Sequence, residues 1–198
     1  MELIQEKDIA ICNGKAGTGK TLLAVGMALR LLKERPDKYT RIIMVRPAVT
    51  VKGEDLGFLP GDIEDKMKPF MMPMIDSLKF FMLNSDVLTL MDSGVIEISP
   101  ISHMRGRTFN NCVIIFDEAQ NSTFSQMKMV VTRVGFNTKL IIEGDISQSD
   151  LDASEGSSNG LRDAMTRFKD VEGVGICVLG AKDIVRSPIL HRIIATYD

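Results

Sequence analysis

The sequence has little of what marks secreted, membrane-spanning or strongly basic proteins. Its three cysteines, Cys12, Cys112 and Cys177, each fall in a short apolar run, with no CxxC and no paired spacing. That excludes a disulfide framework and a cysteine-based zinc site, and leaves three small core hydrophobes. No stretch approaches the roughly 18 consecutive apolar residues a membrane span needs. The opening residues, Met1 to Lys7, lack the basic-then-apolar order of a secretion signal, so the expected setting is the cytoplasm with no membrane partner. A basic excess is missing too. The formal net charge of −2 excludes nucleic-acid binding by bulk electrostatics and leaves only a local basic patch for that purpose.

What is present fits one globular domain spanning residues 1–198, with 44% hydrophobic and 25% charged residues. Short Ile- and Val-rich runs at 9–13, 41–46, 112–116, 140–143 and 174–179 alternate with longer helical stretches. This is the pattern of βαβ units around a mostly parallel sheet. A further run at 95–99 is expected to be an edge strand or hairpin arm. Helices are expected at 20–33, apolar nearly all round, at 123–134, and from Pro188 onward. Residues 47–93 are too long for a simple crossover and contain Pro60, Pro69 and Pro73, so they read as an insertion of loops and short helices. The polar stretch 150–160 reads as a surface loop. Methionines cluster between Met67 and Met104, which suits adaptable core packing or an adaptable partner surface.

The chemistry concentrates in three loops. Gly14-Lys15-Ala16-Gly17-Thr18-Gly19-Lys20-Thr21 matches G-x-x-x-x-G-K-[ST], placed after a strand and at the start of a helix, as a phosphate cradle requires. Glycines there turn successive amides inward, and the helix N-terminus adds its positive end. Lys20 should reach the β and γ phosphates, and the Thr21 hydroxyl should supply a magnesium ligand. The strand 112–116 runs into Asp117 and Glu118, two carboxylates at the strand end where open α/β sheets place ligands. Asp117 would hold the magnesium through water and Glu118 would polarise an attacking water. A third strand runs into Gly144-Asp145-Ile146-Ser147-Gln148, where Gln148 is a candidate γ-phosphate sensor and the alternative is a simple turn capped by Asp145.

Beyond these loops the chain resembles the PhoH-like proteins, ATPases related to superfamily 1 helicase cores. The resemblance runs from about Ile11 to Tyr197. It rests on Arg46-Pro47-Ala48-Val49, Leu56-Gly57-Phe58-Leu59-Pro60-Gly61-Asp62, Arg105-Gly106-Arg107-Thr108, Asp117-Glu118-Ala119-Gln120-Asn121, Gln126-Met127-Lys128, Thr132-Arg133-Val134-Gly135 and Gly144-Asp145-Ile146-Ser147-Gln148. It implies a P-loop NTPase with a RecA-like, mostly parallel sheet flanked by helices, a family-type insertion at 47–93, and hydrolysis of ATP to ADP. It also implies RNA or single-stranded DNA as partner, with helicase-like action. Three departures stand out. Lys15 replaces the usual cradle proline, Ser187-Pro188 stands where His-Pro is commoner, and the upstream helical segment that helps relatives hold adenine does not precede the first strand.

Phosphoryl transfer of this kind gains from an arginine at the γ-phosphate, and 198 residues leave no room for a second RecA-like domain to supply one. A neighbouring copy in a ring, a hexamer for instance, is therefore expected to do so, with Arg105, Arg107, Arg133 and Arg186 as candidates. The candidate nucleic-acid footprint is Arg46, Lys52, His103, Arg105 and Arg107. A GTPase switch would need an Asn-Lys-x-Asp guanine reader, which the sequence lacks. The alternative function is a non-catalytic scaffold in which ATP merely stabilises a nucleic-acid-binding surface.

Overall fold

The computed structural model describes residues 1–47, 63–149, 159–185 and 189, with residues 63–70 described as helix backbone only. Its centre is a six-stranded sheet built from β1 (Ile9–Gly14), β2 (Arg41–Arg46), β3 (Ile96–Pro100), β4 (Cys112–Phe116), β5 (Lys139–Gly144) and β6 (Val174–Leu179) in the order β3-β2-β4-β5-β1-β6. Every strand pair is parallel, including β3 on β2, so the run at 95–99 is a parallel edge strand rather than a hairpin arm. The central strands are continuous apolar runs because both faces are covered. Along β4 the side chains alternate: Cys112, Ile114 and Phe116 join one core, Val113 and Ile115 the other.

One face carries α2 (Lys20–Glu34), α3 (Ile63–Lys79) and α4 (Asn84–Asp92). Val25, Ala28, Met74, Leu78 and Val87 are buried there against the strands. The loops and short helices expected for 47–93 thus include one 17-residue helix containing Pro69 and Pro73. Each proline deletes a backbone donor, yet burial of Met74 and Leu78, one turn apart, holds the helix against the sheet. Residues 48–62 of that segment lie outside the described residues. Met74 and Met104 belong to the core, while Met72 is exposed, so core packing and surface share the methionine cluster.

The other face carries α5 (Phe124–Val131) and α6 (Gly160–Arg167), with Met127, Val130, Leu161 and Ala164 buried. Helix α5 is shorter at its end than the sequence pattern implies, and Thr123 starts it with a full capping box. Its hydroxyl accepts from the Gln126 amide while the Gln126 side chain accepts from the Thr123 amide. Helix α6 begins at Gly160, inside the stretch read as loop, capped by the Asn159 side chain. A short α1 (Glu2–Glu6) also precedes β1. The C-terminal helix expected from Pro188 onward falls almost wholly outside the described residues. No helix among them is long and apolar enough to cross a membrane.

Candidate functional site

Strand β1 delivers the glycine-rich loop to the carboxyl edge of the sheet, and α2 leaves from it. A Cβ on Gly14 would lie 2.8 Å from that of Leu179, so β6 closes the space any side chain there would need. Gly17 and Gly19 have φ of 84° and 75°, the left-handed region where glycine is at ease, and this turns the loop around an open cleft. Lys20 Nζ donates to the carbonyls of Gly14 at 2.7 Å and Lys15 at 3.2 Å, which parks the ammonium on the cleft wall. The cleft has a volume of about 360 Å³ and is lined by Ala16, Gly17, Gly19, Lys20, Thr21, Asp117, Glu118, Gly144, Asp145 and Gln148. Residues from all three loops singled out in the sequence therefore share one pocket.

Only β5 separates β4 from β1, so the acid pair faces the cradle across one intervening strand. Thr21 Oγ1 donates to Asp117 Oδ1 at 3.3 Å, closing that gap. Asp117 is buried, and desolvation raises its pKa even though the Arg46 guanidinium lies 4.0 Å away. A buried carboxylate short of positive charge, with a hydroxyl beside it, is what a hard cation with oxygen ligands requires. Across the pocket Asp145 Oδ2 is buried and unpartnered among the described residues, a further oxygen toward which such a cation's water shell can turn. The donor set thus fits magnesium.

Glu118 sits at φ 51°, ψ 38°, a left-handed conformation costly for a residue with a side chain. The Asp117 carboxylate helps impose it by accepting from the Glu118 amide at 2.9 Å. Both Glu118 oxygens are engaged: Arg46 Nη2 donates to Oε1 at 3.0 Å and Gln120 Nε2 donates to Oε2. Gln120 is buried, and its own Oε1 accepts from the Asp145 amide at 3.1 Å, tying the acid pair to the third loop. In that loop Asp145 Oδ1 accepts from the Ser147 amide and hydroxyl, so the turn capped by Asp145 is present. Gln148 is exposed and lines the pocket as well.

Asn13 and Gln120 escaped sequence reasoning. Asn13 Oδ1 accepts from the Ile146 amide at 3.0 Å and fixes the third loop to β1. The available signal was a polar residue at the carboxyl end of an apolar strand. Glu143, one residue before Gly144, is fully buried with neither oxygen hydrogen-bonded among the described residues. Burial pushes its pKa well above the usual carboxyl range, and the nearby Asp117 pushes it further. Cys12 and Cys177 face each other in register, half-buried, and the Cys12 thiol is pushed up to about 12 by burial, so it stays protonated.

Among the described residues, the remaining cationic candidates do not line the pocket. Arg107 makes a bidentate pair with Glu97 at 2.5 and 2.8 Å and stacks 4.5 Å over the Phe109 ring. Arg133 donates to the Arg107 carbonyl at 3.1 Å and to Thr132 Oγ1 at 3.2 Å. Both flank Phe109, which precedes β4, and so lie toward the amino end of the strands. His103 and Arg105 are exposed in and after a short 3₁₀ turn that follows edge strand β3. Lys52 and Arg186 lie outside the described residues.

A family profile described as PhoH-like protein matches residues 1–198, the whole chain. The chain belongs to the PhoH family. It is 46% identical over 198 residues to a PhoH-like protein of Synechocystis, covering 100% of this chain and 59% of that protein. Against the Bacillus subtilis PhoH-like protein identity is 44%, covering 98% and 60%, and against Escherichia coli K12 protein PhoH it is 42%, covering 100% and 55%. The chain therefore spans somewhat over half the length of these PhoH relatives. Among solved structures, the large terminase of thermophilic bacteriophage D6E superposes with a TM-score of 0.60 at 12% identity, covering 98% of this chain and 46% of the terminase. The PhoH chain accordingly has the α/β P-loop NTPase fold with a RecA-like parallel sheet.

Proposed function

We propose that the protein binds ATP with magnesium at the Gly14–Thr21 loop and hydrolyses it to ADP and phosphate, in an assembly of copies acting on RNA or single-stranded DNA. The observation that carries this is the single cleft in which Lys20, Thr21, Asp117, Glu118 and Gln148 meet. Loop amides and the start of α2 would hold the triphosphate, and Lys20 would leave the Gly14 and Lys15 carbonyls for its oxygens. Thr21 and Asp117 would hold magnesium, which when bound neutralises developing phosphate charge. Glu118 would accept a proton from the attacking water, and Gln148 would contact the terminal phosphate.

An arginine from a neighbouring copy would complete the charge neutralisation. Arg107 and Arg133 are engaged inside their own chain, whereas Arg105 is exposed, which favours Arg105 among the described candidates. Phosphate release by the purified protein, with Lys20→Ala as control and with RNA or DNA added, tests the proposal. Release above the Lys20→Ala background is expected. Release equal to that background in every condition would leave a non-catalytic, ATP-stabilised scaffold.

A further inference from the structure

Glu118 stands between two clefts. On one side is the phosphate pocket; on the other is a polar cleft of about 470 Å³ lined by Arg46, Glu118, Gln120, Asn121, Gln148 and Ser149. Glu118 and Gln148 line both, so the group proposed to activate water forms part of the partition. In the conformation observed, Glu118 is turned to the second cleft's residues: Arg46 holds one carboxylate oxygen and Gln120 the other. The Arg46 bond is charge-assisted, with the Arg46 side chain 22% and the Glu118 side chain 37% exposed, so water screens the pair in part and a competing anion has access to it. Gln120 is itself immobilised, because Asp145 donates to its side chain while Ser149 Oγ and Asn159 Nδ2 donate to its carbonyl. Of Glu118's two restraints, Arg46, which also lies 4.0 Å from Asp117 Oδ2, is the charged one, and an anionic ligand in the second cleft would compete with these carboxylates for it.

The cleft is lined by an arginine, carboxamides, a hydroxyl and the Glu118 carboxylate, already partnered in part within the chain, on a volume within the usual range of binding pockets, so a ligand there must exchange its bonds for existing ones. Such a set recognises a phosphate oxygen, and an anion there would also repel the Glu118 carboxylate toward the nucleotide. We propose that this second cleft binds the phosphodiester backbone of a single strand, and that the strand releases Glu118 for hydrolysis by drawing Arg46 away. Arg46 is thus a positioning residue that restrains Glu118 when no strand is present. The proposal rests on the ATPase reading above and adds to it the coupling between strand and hydrolysis.

The test compares steady-state phosphate release by wild type, Arg46→Gln and Asn121→Asp, each with no addition, with a single-stranded RNA or DNA oligonucleotide, and with inorganic phosphate. Binding of a fluorescent oligonucleotide is followed by anisotropy, and melting curves verify folding. Loss of a charge-assisted restraint should raise the unstimulated rate of Arg46→Gln about tenfold or more and abolish stimulation by the oligonucleotide. Asn121→Asp should fold normally yet bind the oligonucleotide at least about tenfold more weakly, through like-charge repulsion in the cleft. An Arg46→Gln rate at or below the wild-type unstimulated rate, or stimulation that survives in it, would overturn the latch. Unchanged oligonucleotide binding by Asn121→Asp would overturn the location, and full stimulation by inorganic phosphate alone would overturn the strand as occupant. If wild type releases no phosphate above Lys20→Ala, the ATPase reading fails instead, and the anisotropy measurements still judge the cleft.

Discussion

Glu143 offers a quantitative test of how the floor of the phosphate site is built. The carboxyl is buried beneath the loop in a small cavity of about 80 Å³, lined mainly by apolar side chains including Ile4, Ala10, Leu23 and Ile141. Neither oxygen finds a donor among the described residues, and burial raises its pKa far above that of an unfolded glutamate. The folded protein therefore holds a proton that the unfolded chain releases once pH passes the ordinary glutamate range. Between the unfolded and the folded pKa the native state binds more protons than the unfolded state, so stability falls as pH rises through that window. The slope is about 1.4 kcal/mol per pH unit. For a chain of this size that corresponds to roughly 3–6 °C of melting temperature per unit. Glu143→Gln keeps the shape and removes the proton exchange. Melting temperatures of wild type and Glu143→Gln, scanned from pH 5 upward in one buffer series, should diverge with this slope in favour of the variant. Parallel curves would refute the assignment of a neutral, buried Glu143.

Other consequences follow from single contacts. Gly144→Ala would place a Cβ 2.4 Å from Gln120 Oε1 and 2.8 Å from Leu161 Cδ2. Overpacking of that kind costs about 1–3 kcal/mol, and displacement of Gln120 should also lower phosphate release; a variant that melts and hydrolyses like wild type would show that Gln120 does not orient Glu118. Thr123→Ala removes half of the α5 capping box and should cost about 1 kcal/mol in denaturant unfolding, with hydrolysis kept. Glu118→Asn accepts the left-handed backbone more readily than glutamate, so it should melt no lower than wild type while losing hydrolysis; a large loss of stability would mean that the side chain, not the backbone, holds this turn.

The strands and the three loops were legible because each is encoded locally. A five-residue run such as Cys112 to Phe116, short and rich in β-branched residues, reads as a strand covered on both faces, and a glycine-rich turn between strand and helix admits few readings. What escaped was set by register between distant segments. Gln120 matters because β4 and β5 are neighbours, which brings the Asp145 amide to its side chain, and nothing near Gln120 in the sequence announces that. Arg46 was expected in the nucleic-acid footprint, and its additional place against Asp117 and Glu118 comes from β2 lying beside β4, which its own stretch of sequence does not show. Glu143 ends the run read as a strand at 140–143, and its burial follows from its register opposite Cys12, which that run does not show. Helix α3 was obscured by Pro69 and Pro73, whose local cost is overridden by packing on the sheet.

The central claim, that the cradle holds a triphosphate which Glu118 prepares for attack by water, is tested most directly by one single-turnover measurement. Radiolabelled ATP and magnesium are mixed with excess wild type or Glu118→Gln, and bound and cleaved nucleotide are counted in the same samples. Glu118→Gln should retain nucleotide as wild type does while cleaving it at least about a hundredfold more slowly. Cleavage at the wild-type rate, with nucleotide bound, would contradict the role assigned to Glu118.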